Sequence, residues 1–257
     1  MIPPGASPTL WMYFKLEDSD AQPQARDDLA ADVRPMRYAD IPNVVATHRA
    51  AFANDPVWSY LFRTPDDATC SRLSRWLDSL VYFLQCLGRV HARKMLVIND
   101  GDAYLYFGLP GGKPTVVERI IGRSTSFLRK VRTAEQKKRM EETMQKQDAA
   151  IKAAIGERIH SMFAAHDLAT HPGKQGRGYG GALVAAANAK ADALGAASWL
   201  SSSNVANTAF YESCGFVVVR EFAIGDENPT WMEPPIVVRI MVREQQGAAH
   251  DLKEEMV

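Results

Sequence analysis

A strand, a glycine-rich loop and a helix in direct succession leave a chain few ways to fold, and Met162 to Gly181 reads as that succession. The stretch is MFAAHDLATHPGKQGRGYGG: an apolar run ends at Thr170, His171-Pro172-Gly173 breaks it, and Gly176, Gly178, Gly180 and Gly181 follow. A small-residue helical pattern, ALVAAANAKADAL, begins at once. The unpaired N–H groups of a helix's first turn and the positive end of its dipole converge where glycines let a phosphate approach the backbone. The ligand is therefore expected to carry phosphate, although a tight turn with no ligand would use the same glycines.

Which phosphate ligand is decided by the flanking residues. A nucleotide P-loop needs Lys followed by Ser or Thr after its glycines, and no such pair stands here. Gly176-x-Gly178-x-x-Gly181 matches the letters of the dinucleotide fingerprint. That pattern also wants an acidic residue at the end of the next strand, about 20 residues on. The next expected strand, 197 to 200, ends in Ser201-Ser202-Ser203. A nicotinamide oxidoreductase thus rests on the glycine letters alone.

Gln175-Gly176-Arg177-Gly178-Tyr179-Gly180 has the form Gln/Arg-x-x-Gly-x-Gly/Ala. It resembles the acyl-CoA pyrophosphate loop of the GNAT superfamily of acetyl-CoA-dependent N-acetyltransferases. Downstream, Asn204 to Phe216 includes Asn207 followed by Tyr211-x-x-x-Gly215-Phe216, which looks like that family's second motif. The resemblance spans about 155 to 243, with weaker agreement at 32 to 110. It implies an α/β (α+β) fold: a mixed, mostly antiparallel central sheet flanked by helices. It also implies acetyl-CoA as donor, no metal, a small-molecule amine as acceptor and a homodimer as one assembly open to the chain.

Site residues follow from the resemblance position by position. Gln175, Gly176, Arg177, Gly178, Tyr179, Gly180 and Gly181 would hold the pyrophosphate, with Lys174 adding charge. Pantetheine would lie along Leu168, Ala169 and Thr170 like an added strand, with a backbone N–H near Leu168 facing the acetyl oxygen. Tyr211, whose phenol has an unperturbed pKa of about 10, is the expected proton donor to the departing thiolate. Asn207, one helical turn earlier, would face the same ligand. Some relatives carry a Glu on the strand as base, but here that position is Ala164. His166 shares the expected strand face with Ala164 and titrates in a useful range, whereas Asp167 should point to the other face. Water relays, Asp55, Glu233 or an amine arriving neutral are the alternatives for the base.

The rest of the chain fits around this centre. Its 257 residues exceed a minimal domain and fall short of two. A tail is expected over 1–31, rich in proline and scattered acids and interrupted by an apolar Leu10-Trp11-Met12-Tyr13-Phe14 patch that docks on the body or on a partner. One domain should cover 32–246, with a helical insertion at about 110–156, and a polar tail 247–257. Val33 to Met36 reads as a first strand and Asp40 as the cap of a helix with Pro42 in its first turn. Asn54-Asp55-Pro56 stops that helix, and an aromatic piece follows in which Trp58, Tyr60 and Phe62 are acceptor-contact candidates by resemblance. Thr64-Pro65-Asp66-Asp67 reads as the start of a core helix with Leu73, Leu77, Leu80, Leu84 and Leu87 on its apolar face, Trp76 and Phe83 beside them. Lys94 to Ile98 and Ala103 to Phe107 flank Asn99-Asp100-Gly101-Asp102, a hairpin signal. The insertion is polar, its Lys137-Lys138-Arg139 run reads as a solvated face, and its length is expected to make it a cover over the acceptor side. Val217 to Ala223 and Ile236 to Arg243 are the last strands, with Trp231 and Glu233 on their overhanging loop.

Composition sets outer limits. Thirty basic residues balance thirty acidic ones, which argues against broad nucleic-acid binding. Cys70, Cys86 and Cys214 are odd in number, and the first two would lie roughly 24 Å apart on one helix, too far for a disulfide. A reducing, cytoplasmic location is the expectation, and no apolar run nears the length of a membrane span. Two further readings stay open within the fold: a protein N-terminal or lysine acetyltransferase, and a non-catalytic CoA-binding module.

Overall fold

The structure, a computed structural model, describes residues 32–66, 72–126 and 132–245. The two expected tails with the Leu10-to-Phe14 patch, as well as Asp67 and Cys70, lie outside the described residues.

Among the described residues seven strands form one sheet: β1 (Arg34–Pro35), β2 (Met95–Ile98), β3 (Ala103–Gly108), β4 (Phe163–Thr170), β5 (Ser198–Ser202), β6 (Val217–Ile224) and β7 (Ile236–Arg243). Their order is β1-β2-β3-β4-β5-β7-β6. Every neighbouring pair is antiparallel except β4 and β5. That parallel pair joins only at Phe163 with Ser198 and Ala164 with Trp199, although β4 runs on to Thr170 and β5 to Ser202. Past those residues the two strands share no register.

Among the described residues seven α-helices cover the sheet: α1 (Ile41–Ala51), α2 (Pro56–Phe62), α3 (Arg72–His91), α4 (Val116–Ser126), α5 (Ala134–Ala154), α6 (Tyr179–Ala193) and α7 (Thr208–Ser213). One face is sealed by α6 and α7, whose Leu183, Val184, Ala187, Ala191 and Tyr211 pack on Leu105, Phe107, Phe163, Leu168 and Leu200. Burying a Leu or Val there is worth roughly 1.5–3 kcal/mol each, and alanines let the helix approach closely. On the other face α1 and α3 close over Val97, Tyr104, Tyr106 and Ala169, and the end of α5 packs on Ala164, Trp199, Ile240 and Val242. The hairpin turn forms as expected, with Asn99, Asp100 and Gly101 at φ 46°, 55° and 121°. Asn, Asp and Gly are the residues that tolerate this region.

Four local expectations are corrected. Asp40 makes no side-chain cap to α1, because its carboxylate is taken by Arg34 (2.7 and 2.9 Å) and by the Arg37 N–H (2.7 Å). Thr64 to Asp66 is not helical; Asp66 instead accepts from Thr133 Oγ1 (2.8 Å) and the Glu135 N–H (3.0 Å), securing the start of α5. Along α3 the deepest stripe is Tyr82, Cys86, Arg89 and Val90, with Leu84 and Leu87 half-buried and Trp76 59% exposed. The Lys137-Lys138-Arg139 run is not a uniformly solvated face. Arg139 is 1% exposed and bonds Tyr60 O (2.7 Å), Thr230 O (3.1 Å), Thr230 Oγ1 (2.8 Å) and Glu135 (2.9 Å). A guanidinium with all its donors engaged can be buried, and apolar periodicity does not register it.

Candidate active site

The glycine loop is open at its centre and pinned at its rim. Gly176 and Gly178 both stand at φ 76°, a conformation most side chains avoid. A Cβ added at Gly176, Gly178 or Gly181 would meet nothing within 4 Å. Gly178 is the N-cap of α6 and offers no side chain to the first-turn amides. The rim is held by the β2–β3 turn: Asn99 donates to the Tyr179 hydroxyl at 2.8 Å, the His171 N–H to Asp102 O at 2.8 Å, and Lys174 pairs with Asp102 at 3.4 Å. Tyr179 thus anchors the loop through its ring and hydroxyl, and the charge of Lys174 is partly met by Asp102. Gly180 and Gln175 are half-buried and Arg177 is exposed. A diphosphate suits this cradle, since uncapped amides at the positive end of a helix favour an anion.

Leu168, Ala169 and Thr170 end β4, paired with Leu105, Tyr104 and Ala103 of β3. Their buried side chains serve the core, Leu168 against α6 and Ala169 against α1 and α3. Only their main chain is offered on the β5 side, where pairing has stopped. Tyr211 is 2% exposed and lies in the same cluster as Leu168, with Phe210 at 5.1 Å and Phe216 at 6.1 Å between ring centroids. Burial pushes its hydroxyl well above the ordinary phenol value, so it keeps its proton. Asn207 is buried at the junction of a 3-10 turn and α7.

His166 and Asp167 do not alternate. The β3–β4 register shifts between Leu105 and Phe107, so that Tyr106 faces two residues of β4. This β-bulge turns both His166 and Asp167 toward α3, which corrects the opposite-face expectation for Asp167. The half-buried His166 ring packs on Tyr106 (5.1 Å) and edge-on to Trp199 (6.0 Å). Burial, with Arg89 and Lys94 nearby, pushes its pKa well below the usual histidine value, so it is neutral near pH 7. Asp167 is paired with Arg89 at 2.7 Å, both buried.

The remaining candidates divide between structural and open positions. Asp55 is fully buried, caps α2 through the Trp58 N–H (3.0 Å) and takes Ser203 Oγ at 3.4 Å, so its carboxylate is committed. Tyr60 is buried, its hydroxyl between Glu142 and Asn228 and its ring edge-on to Trp231 at 5.1 Å. The Trp58 and Phe62 rings meet at a tilt with centroids 4.6 Å apart, and Glu233 is exposed. Reading the sequence missed the buried polar groups His48, Tyr104, Arg89 and Arg139; each has a partner 56 to 91 residues away, beyond any local pattern. Among the described residues no group of three His, Cys, Asp or Glu could hold a metal ion, and no helix is long and apolar enough to cross a membrane.

Residues 141–218 match the family model for the acetyltransferase (GNAT) domain. Among solved structures, a histone acetyltransferase-related protein from Corynebacterium glutamicum is 18% identical, with 86% of this chain and 99% of that chain covered at a TM-score of 0.55. An arylalkylamine N-acetyltransferase from Aedes aegypti is 16% identical, covering 84% and 100% at 0.55. The polyamine N-acetyltransferase of Drosophila melanogaster is 15% identical, covering 82% and 98% at 0.53. No match was found among curated proteins. Residues 141–218 therefore match a GNAT acetyltransferase domain, and the fold around them is that of these acetyltransferase structures.

Proposed function

We propose that the protein is an N-acetyltransferase that moves the acetyl group of acetyl-CoA to the primary amine of a small molecule: an amino acid, an amine or a xenobiotic. The observation that carries this is the uncapped, glycine-lined start of α6 beside a β4 edge that stops pairing with β5. The small-amine acceptor is supported by the arylalkylamine and polyamine enzymes among structures of this fold.

In this reading the amides from Gln175 to Gly181 grip the diphosphate, and the main chain of Leu168, Ala169 and Thr170 aligns the donor. A backbone N–H near Leu168 receives the carbonyl oxygen as it becomes negative. The amine nitrogen bonds to the thioester carbon, the C–S bond breaks, His166 takes the proton the amine loses, and Tyr211 gives its own to the leaving sulfur. Solvent restores Tyr211 and relieves His166. The reading includes a cytoplasmic location, where Cys86 and Cys214 stay as free thiols.

Ala164, standing where a base is found in some relatives, favours the second reading, a CoA-binding module without turnover. Thiol release from acetyl-CoA over a panel of aryl, aliphatic and polyamines, with a lysine peptide as control, decides. Release with small amines supports the proposal. Release only with the peptide moves the acceptor to protein, and CoA binding without release leaves the module.

A further inference from the structure

The bulge in β4 begins two residues past the last register pair with β5, and a helix outside the family-matched segment reaches in to hold it. Arg89 of α3 places Nη1 2.7 Å from Asp167 Oδ2, with its guanidinium over the Tyr106 ring at 4.1 Å and Nη2 3.4 Å from Gln85. Tyr106 is the residue opposite the bulge, and its ring also supports His166. Regular alternation would send Asp167 to the α6 face with Phe163 and Ala165, in an apolar cluster where a carboxylate has no partner. Arg89 supplies that partner on the α3 face, so the extra residue is stable there and His166 stays between Tyr106 and Trp199. A second feature leaves room for the ring: a Cβ at Gly108 would stand 3.0 Å from His166 Nε2.

We propose that Arg89, through Asp167, is a positioning residue of the acetyl-transfer site that fixes the β4 bulge and with it the place of His166. This rests on the N-acetyltransferase reading. The groups around His166 are Tyr106 of β3, Arg89 of α3, Asp167 of its own strand, and Lys94, which is itself paired with Glu118 of α4 at 3.0 Å.

The test replaces the pair with apolar residues of similar size, Arg89→Met with Asp167→Leu, because breaking a buried pair on one side alone threatens folding. The double variant is expected to melt cooperatively and to bind CoA within threefold of the parent. Its kcat should fall at least tenfold, with the acid limb of the kcat profile and the His166 imidazole titration, followed by NMR, moving to higher pH. Gly108→Ala, which crowds the ring and leaves the ion pair intact, is expected to lower kcat similarly. Parent-like kcat and titration in the folded double variant overturn the proposal, and if that variant does not fold, parent-like kcat and titration in Gly108→Ala do so. If the parent binds CoA and acetylates no amine, the enzyme reading fails by itself, and the His166 titration in the same variants still decides whether Arg89 sets that position.

Discussion

His48 Nδ1 and the Tyr104 hydroxyl lie 2.7 Å apart beneath α1, and the imidazole stacks on Tyr82 with centroids 3.6 Å apart. Burial, seconded by Arg89, holds the His48 pKa well below its ordinary value, so the folded protein keeps this ring neutral. The unfolded chain takes a proton at about pH 6.5 and the folded one does not. Stability is therefore complete above about pH 6.5 and falls by ~1.4 kcal/mol per pH unit below it. Urea unfolding at pH 7.5, 6.5 and 5.5 measures this slope. His48→Gln should flatten it without abolishing it, because His166 shares the direction.

A second acid loss is expected from carboxylates. Arg34 holds Asp40 below the usual range, and for Glu142, although burial opposes its charge, Tyr60, the Gly225 N–H and Lys146 bring the net shift downward. Groups with depressed folded pKa values stabilise above their unfolded values and lose that contribution as pH falls through the folded ones. A separate decline should thus begin below about pH 4.5. Glu142→Gln should weaken it in the same urea series.

Gly178 is left-handed and faces open space, so Gly178→Ala tests strain and ligand separately. The strained φ should cost ~1–2 kcal/mol of folding stability. The Kd for CoA, measured by calorimetry, should rise at least tenfold as the amides shift. Parent affinity with lowered stability would remove the loop from the site.

Tyr211→Phe should keep the fold and the KM for acetyl-CoA while kcat falls by roughly 10²-fold. With its hydroxyl pKa pushed well up, the parent should show no basic limb from this group below about pH 10. Steady-state kinetics across pH checks both, and an unchanged kcat would sink the acid role.

Arg139 ties α5 to Tyr60 and to Thr230 in the β6–β7 loop. Lys cannot reproduce the planar fork, so Arg139→Lys should cost ~3 kcal/mol or more by leaving buried acceptors unmet. If that loop overhangs the acceptor, the KM for amine rises while the CoA Kd holds. Chemical denaturation and the two constants together read this out.

The sequence by itself determined the half of the fold around the glycine loop: strand ends, hairpin turn, glycine loop and small-residue helix are written in local residues whose backbone demands are nearly independent of context. Gly176 and Gly178 stand left-handed as their motif requires, and Met95–Ile98 with Ala103–Gly108 pair across the turn that Asn99-Asp100-Gly101 dictates. Only the tertiary structure decided the other half. Asp167 faces Arg89 because a bulge breaks the two-residue period, Arg139 is buried because Tyr60 and Thr230 come to it, and Asp66 serves α5 rather than the helix that follows it. Each of these joins polar groups far apart in the chain. Burying such groups is unfavourable until their partners arrive, so their places are set by packing and not by any pattern along the chain.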